Sequence, residues 1–191
     1  MTANKTLYQT VGDPGYPDPI EKEGPHICKR EDAWMGQGYY FWESHIQNAH
    51  WWGKGDGHFK NGYVICKADY VIDETICYNL IDNEDHQVMF NDAIDLMIKH
   101  GLYKEGITTV ARIIEFLKNK LRIFRFEATR AIGVNSKTKD SEYSRCTPFV
   151  NRAPYSYLDT LPPIQICFYT KKAQYLSNYT IIYPEKYVVS N

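Results

Sequence analysis

Seven residues, Gly36-Gln37-Gly38-Tyr39-Tyr40-Phe41-Trp42, with Asn48-Ala49-His50-Trp51-Trp52 close behind, constrain this chain more than any other stretch. The two glycines free the backbone to turn. The aromatic run suits a strand, whose pleated surface takes bulky flat side chains, and the predicted strand covers 38–42. Ser44 offers a cap for a helix over about 45–52, and Gly53-Lys54-Gly55-Asp56-Gly57 stops it. A strand and a helix that both carry aromatics can hold a planar ring between them. Core and rim packing is the alternative, because aromatics make up 15% of the chain and 16 residues are Tyr.

The rest of the chain frames that unit. Residues 5–10 read as a first strand. Residues 11–35 hold four Pro and three Gly, which predicts a long loop of the kind that often carries function. Strands are expected over 62–72, 76–81, 123–134, 164–169 and 179–183, and a short helix or turn near 171–175. Met89, Ala93, Leu96 and Met97 recur at helical spacing and predict a helix over 84–100, ended at Gly101. Val110, Ile113, Ile114, Leu117 and Leu121 predict a second over 106–121, both stripes being core. Residues 135–163 are polar, with no clear period. Strands and helices in this order fit α+β better than alternating β-α-β, and 191 residues suit one domain over 1–191.

Charge and cysteine usage narrow the function. A net charge of −1 gives no global case for nucleic acid. Residues 112–145 are locally basic, with nine Lys/Arg against four Asp/Glu, which suits a solvated face or an anionic partner. The N-terminal Met-Thr-Ala-Asn-Lys has no apolar run, and no stretch has the length of a membrane span, so a cytoplasmic protein without membrane partners is expected. Five scattered cysteines, an odd number, point to free thiols in a reducing compartment. The Gly53–Gly57 run lacks the Gly-Lys-Ser/Thr ending of a phosphate loop. His45 and His50 diverge on a helix, and His26 and Cys28 have no second pair at ligand spacing, so no metal is expected.

Three segments, in order, resemble ADP-ribosyltransferases. Leu7-Tyr8-Gln9-Thr10 resembles the family's first element, commonly Y-H-G-T, with Gln9 where the His stands. Gly36-Gln37-Gly38-Tyr39-Tyr40-Phe41 resembles its G-K-G-x-Y-F strand, with Tyr40 at the family Tyr. Asn48-Ala49 falls where poly(ADP-ribose) polymerases carry Ser-Ala, and Trp51 at their second stacking aromatic. Pro163-Ile164-Gln165-Ile166-Cys167-Phe168-Tyr169 resembles the third, with Gln165 in place of the catalytic Glu. Its tail is also similar to a bacterial group of ADP-ribosyltransferase-like proteins that carry Q-I-S-F.

The resemblance implies a split mixed/antiparallel sheet with a helical insertion around 84–121, and NAD as substrate. ADP-ribose would pass to a protein, nucleic-acid or small-molecule acceptor, or to water, as nicotinamide leaves. Tyr40 and Trp51 would stack on the nicotinamide, whose cationic ring suits aromatic faces. Gly38 and Asn48 would hold its carboxamide, Gln9 and Gln165 would hold the riboses, and Thr10 would also contact the NAD. Because Gln165 is neutral, Glu43 is the nearest candidate acid, with Glu127 and Asp159 as others. Arg130, Arg145 and Arg152 are candidates for the pyrophosphate, which Arg binds as a fork. Other readings stay open: a non-catalytic module that binds NAD or ADP-ribose, and an interaction protein whose aromatic cleft stacks on a peptide or base.

Overall fold

Strand β1 (Asn4–Gly12) pairs antiparallel along its whole length with β3 (Tyr63–Val71), and these two ribbons form the spine of the molecule. The computed structural model describes residues 4–55, 59–133, 142–151, 156–172 and 176–188. Along the chain come α1 (Asp18–Glu23), β2 (Tyr39–Glu43), α2 (Ile46–Lys54), β4 (Cys77–Asn79), α3 (Glu84–Lys99), α4 (Val110–Phe116), β5 (Ala128–Ile132), β6 (Cys146–Pro148), β7 (Tyr157–Asp159), β8 (Ile164–Phe168) and β9 (Ser177–Tyr183). Seven strands join in one sheet, in the order β4-β5-β8-β2-β1-β3-β9, and β6 and β7 form a separate hairpin. All pairs in the large sheet are antiparallel except β4–β5, so the architecture is α+β with a mixed sheet.

The sheet is nearly cut in two beside β1. The β1–β2 ladder consists of Leu7↔Glu43 and Tyr8↔Trp42, and beyond Tyr8 the two strands part. Residues 26–28 fill the gap. Cys28 exchanges two backbone hydrogen bonds with Gly38 (2.7 and 3.1 Å), just ahead of β2.

Facing residues in a ladder point to the same side. One face therefore carries Tyr8, Thr10, Tyr40, Trp42, Gln165 and Cys167, and it is covered by α2 and by the α4 region. The other carries Leu7, Phe41, Ala68, Cys77, Ala128, Ile166 and Phe168 in a continuous apolar core. Helices α3 and α4 and the turn after α4 pack Ala93, Met97, Ile113 and Leu117 around Tyr78.

Several expectations are corrected. The 106–121 helix is only Val110–Phe116, because Gly106 is left-handed (φ 69°) and Thr109 caps the helix by accepting from the Arg112 amide. Val110, placed on the buried stripe, is 39% exposed, and residues 117–121 widen into a π turn. Residues 123–127 keep their alternation without a strand partner, so Phe124 and Phe126 pack on the helical layer and the ladder starts at Ala128. Ser44 is no cap. It turns left-handed (φ 64°), and His45 takes the N-cap position with no side-chain bond. The 11–35 loop contains α1, which buries Ile20. Residues 173–175 of the expected 171–175 turn, Arg152, and the end of the Gly53–Gly57 run lie outside the described residues.

Candidate functional site

Where β1 and β2 part, a cleft of about 740 Å³ opens, within the usual size of ligand sites. It gathers Gln9 and Thr10 of β1, Tyr40 and Trp42 of β2, Gln165 of β8, and the wall formed by residues 26–34. Four of the expected site residues, Gln9, Thr10, Tyr40 and Gln165, thus meet from three distant segments. Period 2 along β2 puts Tyr40 and Trp42 on one face, and the Trp42↔Gln165 register adds the amide beside them.

The Gln9 side chain is fully engaged. Its Nε2 donates to the carbonyls of His26 (2.9 Å) and Tyr40 (3.3 Å). Its Oε1 accepts from the His26 amide (2.8 Å) and the Tyr179 hydroxyl (2.9 Å). An amide offers two donors and two acceptor lone pairs, so none is left for a ribose. Gln9 is the tie between β1 and the cleft wall. Thr10 likewise donates to the Ala49 carbonyl (2.9 Å), fixing α2 on the sheet.

Tyr40 presents its ring, while its hydroxyl is committed to the turn below. The hydroxyl donates to the Gly36 carbonyl and accepts from the Met35 amide, both at 2.7 Å. Burial pushes this phenol well above its ordinary range, and the neighbouring Cys167 adds to it. It acts as a wall and not as an acid. Burial likewise pulls the Lys118 ammonium, seated over the rings of Tyr169 and Phe124 behind that wall, down to about 8.

Gln165 differs from its neighbours. It is 7% exposed, and its Oε1 is buried with no hydrogen-bond partner among the described residues. A buried acceptor left unpaired costs roughly 1–3 kcal/mol, and this one lies on the wall of the cleft.

The second aromatic wall is not Trp51. All four tryptophans of the chain form one cluster. Trp34 meets Trp42 edge-on at 6.1 Å and Trp52 at 6.2 Å, while Trp51 sits against Trp42 at 5.8 Å. Trp34, Trp42, Trp52 and Phe59 line the cleft, and Trp51 does not. Alternation along β2 already carried the signal for Trp42. Trp34 lies in an aperiodic loop, and Trp51 and Trp52 lie about 100° apart on α2, with Trp52 next to the buried stripe of Asn48, Ala49 and Gly53.

The other expected residues serve the scaffold. Both peptide groups of Gly38 bond to Cys28, and an added Cβ would meet Cys167 Sγ at 2.5 Å and the Phe168 carbonyl at 2.6 Å. Asn48 is fully buried, with Nδ2 donating to the Pro162 carbonyl (3.0 Å). Glu43 and Arg130, expected near the ligand, lie on the opposite face of the sheet. The Arg130 fork donates Nε and Nη2 to Glu43 at 2.6 and 3.0 Å, and Lys5 adds a contact at 3.0 Å. Burial works to raise the Glu43 carboxyl, but Arg130 and Lys5 outweigh it and hold the group below the usual carboxylate range. Glu127 pairs with Lys172 (2.6 Å), Asp159 accepts from the Leu161 amide (2.9 Å), and Arg145 is exposed outside the cleft.

Among the described residues no group of three His, Cys, Asp or Glu side chains is placed to hold a metal ion. All five cysteines are unbridged, and burial pushes Cys66, Cys77 and Cys167 up to about 12, which makes them inert packing groups. No described helix is long and apolar enough to cross a membrane. Comparison of the chain with protein-family models, curated proteins and solved structures returned no match in any of the three.

Proposed function

We propose that this cleft binds NAD and that the protein cleaves it, transferring ADP-ribose and releasing nicotinamide. The reading is carried by Gln165, a buried amide oxygen without a partner among the described residues, in a cleft that also presents the rings of Trp34, Tyr40, Trp42 and Trp52. A carboxamide N–H or a ribose hydroxyl is the donor that oxygen lacks. The cationic nicotinamide ring suits the faces of Trp34, Trp42 and Trp52. The resemblance of the Gln9, Tyr40 and Gln165 segments to ADP-ribosyltransferases, as a mono-transferase or an NAD glycohydrolase, supports the same ligand.

In the reaction the bond between the nicotinamide nitrogen and ribose C1′ breaks. Nicotinamide leaves with the electron pair, C1′ becomes oxocarbenium-like, and an acceptor nucleophile adds there and gives up its proton. Gln165 hydrogen-bonds without supplying negative charge. Lacking one preorganised electrostatic contributor costs about 10²–10³ in rate, so turnover is slow.

A second reading, binding without turnover, is favoured by the carboxylates. Among the described residues lining the cleft the one carboxylate is Asp32, which is forked to Arg30. Incubation with NAD, following free nicotinamide by chromatography, separates the readings. Release that Gln165→Leu abolishes and Gln165→Glu accelerates supports the transferase. Saturable binding without release selects the second reading, and neither binding nor release sinks both.

A further inference from the structure

We propose that Lys29 and Arg30 form an anion subsite on the cleft wall, which takes the phosphates of a nucleoside diphosphate; the identity of the full ligand rests on the reading above. The wall carrying them is fixed at several points. Gln9 holds both peptide groups of His26, Cys28 is paired twice to Gly38, and the Gln37 side chain donates to the Lys29 carbonyl at 3.1 Å. The two cations therefore project from a positioned backbone and not from a slack loop.

Arg30 is held as a fork. Its Nε and Nη2 donate to the two Asp32 carboxylate oxygens at 2.8 and 2.7 Å, which sets the guanidinium plane and keeps Nη1 outside the pair. Lys29 has no ion pair among the described residues. A phosphate between Lys29 and the outer edge of Arg30 would gain charge-assisted bonds from both.

The charge contrast between this cleft and one on the opposite face of the sheet decides which of the two suits an anion. The described lining of this cleft holds Lys29 and Arg30 against Asp32. The cleft on the other face of the sheet holds five carboxylates (Asp69, Asp73, Glu74, Asp82, Glu127) against Lys5, Arg130 and Lys172, so its lining is net negative where this one is net positive. The pyrophosphate role expected of Arg130 thus passes to a cation of the 26–34 wall.

Calorimetry with ADP and with nicotinamide riboside, which has no phosphate, tests the subsite. The double substitution K29A/R30A is expected to weaken ADP by about 10- to 100-fold, the loss of one to two charge-assisted bonds. Riboside binding should stay unchanged or tighten. Asp32→Ala, which removes the competing carboxylate, should tighten ADP several-fold, and ADP affinity should fall with added salt. Unchanged ADP affinity in the double variant, equal losses for ADP and riboside, or no ADP binding by the parent protein would each overturn the subsite. Failure of the nicotinamide reading looks different, since riboside would not bind while ADP still would, with the same dependence on Lys29 and Arg30.

Discussion

Gln9 and His26 exchange a pair of hydrogen bonds that imitates a β-ladder: Gln9 Nε2 donates to the His26 carbonyl at 2.9 Å, and the His26 amide returns a bond to Gln9 Oε1 at 2.8 Å. The side chain stands in for the strand that β1 loses when β2 turns away, and so the cleft stays open without orphaning the backbone on its wall.

Gln9→Ala leaves the His26 peptide groups and the Tyr179 hydroxyl without their partner. The expected loss is about 1–3 kcal/mol of stability, read from urea unfolding. Faster amide exchange at His26 and Cys28 should accompany it. Unchanged exchange there would show that the tie is dispensable.

Glu43→Ala takes the nearer carboxylate from the buried Arg130 guanidinium, which keeps only Asn79 (3.0 Å) and the more exposed Asp82 (3.3 Å) at Nη1, and should cost about 3 kcal/mol, the lower end for a broken buried pair. The pH dependence has a definite sign. The Glu43 carboxyl is held below its ordinary value, so its contribution is complete above the unfolded pKa of about 4.3 and is lost as pH falls through the lower folded value. The stability gap between parent and Glu43→Gln should be flat from pH 7 to about 5 and close in more acidic buffer. A gap that widens on acidification would contradict this.

Gly38→Ala puts a methyl group 2.6 Å from the Phe168 carbonyl, a backbone atom that does not swing aside. About 1–3 kcal/mol should be lost, as for other overpacked sites. Adding Cys167→Ala relieves the sulfur clash but not the carbonyl, so rescue should be partial. Full rescue would place the strain at the sulfur alone.

Gln165→Leu separates a ligand role from a structural one. The substitution removes an oxygen that has no partner, so thermal stability should hold or rise. NAD binding, followed by quenching of the tryptophan cluster, should be lost. A destabilised variant that still binds NAD would make the amide a scaffold residue.

The elements that were legible in the sequence are those whose pattern is local. Short apolar, β-branched and aromatic runs placed β3 and β8, helical spacing placed α3, and period 2 puts Tyr40 on the same face as Trp42. Residues 123–127 show the limit. Their alternation is real, but a strand exists only where neighbours supply hydrogen bonds; these start at Glu127, which bonds Ile76 and Tyr169, and the β8 ladder follows from Ala128.

By itself the sequence determined the α+β class and the aromatic strand leading into a helix, whereas the sheet order brings the Gln9, Tyr40 and Gln165 segments to one cleft. The tertiary structure alone decided what each side chain does there. Glu43 and Arg130 are 87 positions apart, and only sheet order brings them together, on the face away from Tyr40, Trp42 and Gln165. Trp51 and Trp52 are neighbours in sequence, and only the seating of α2 on Trp42 turns one toward the cleft. Gln9 and Gln165 are the same residue type on strands of the same sheet, yet one is saturated and the other is left with an unpaired oxygen. Hydrogen-bond saturation and burial depend on neighbours from distant segments, and no local pattern carries that information.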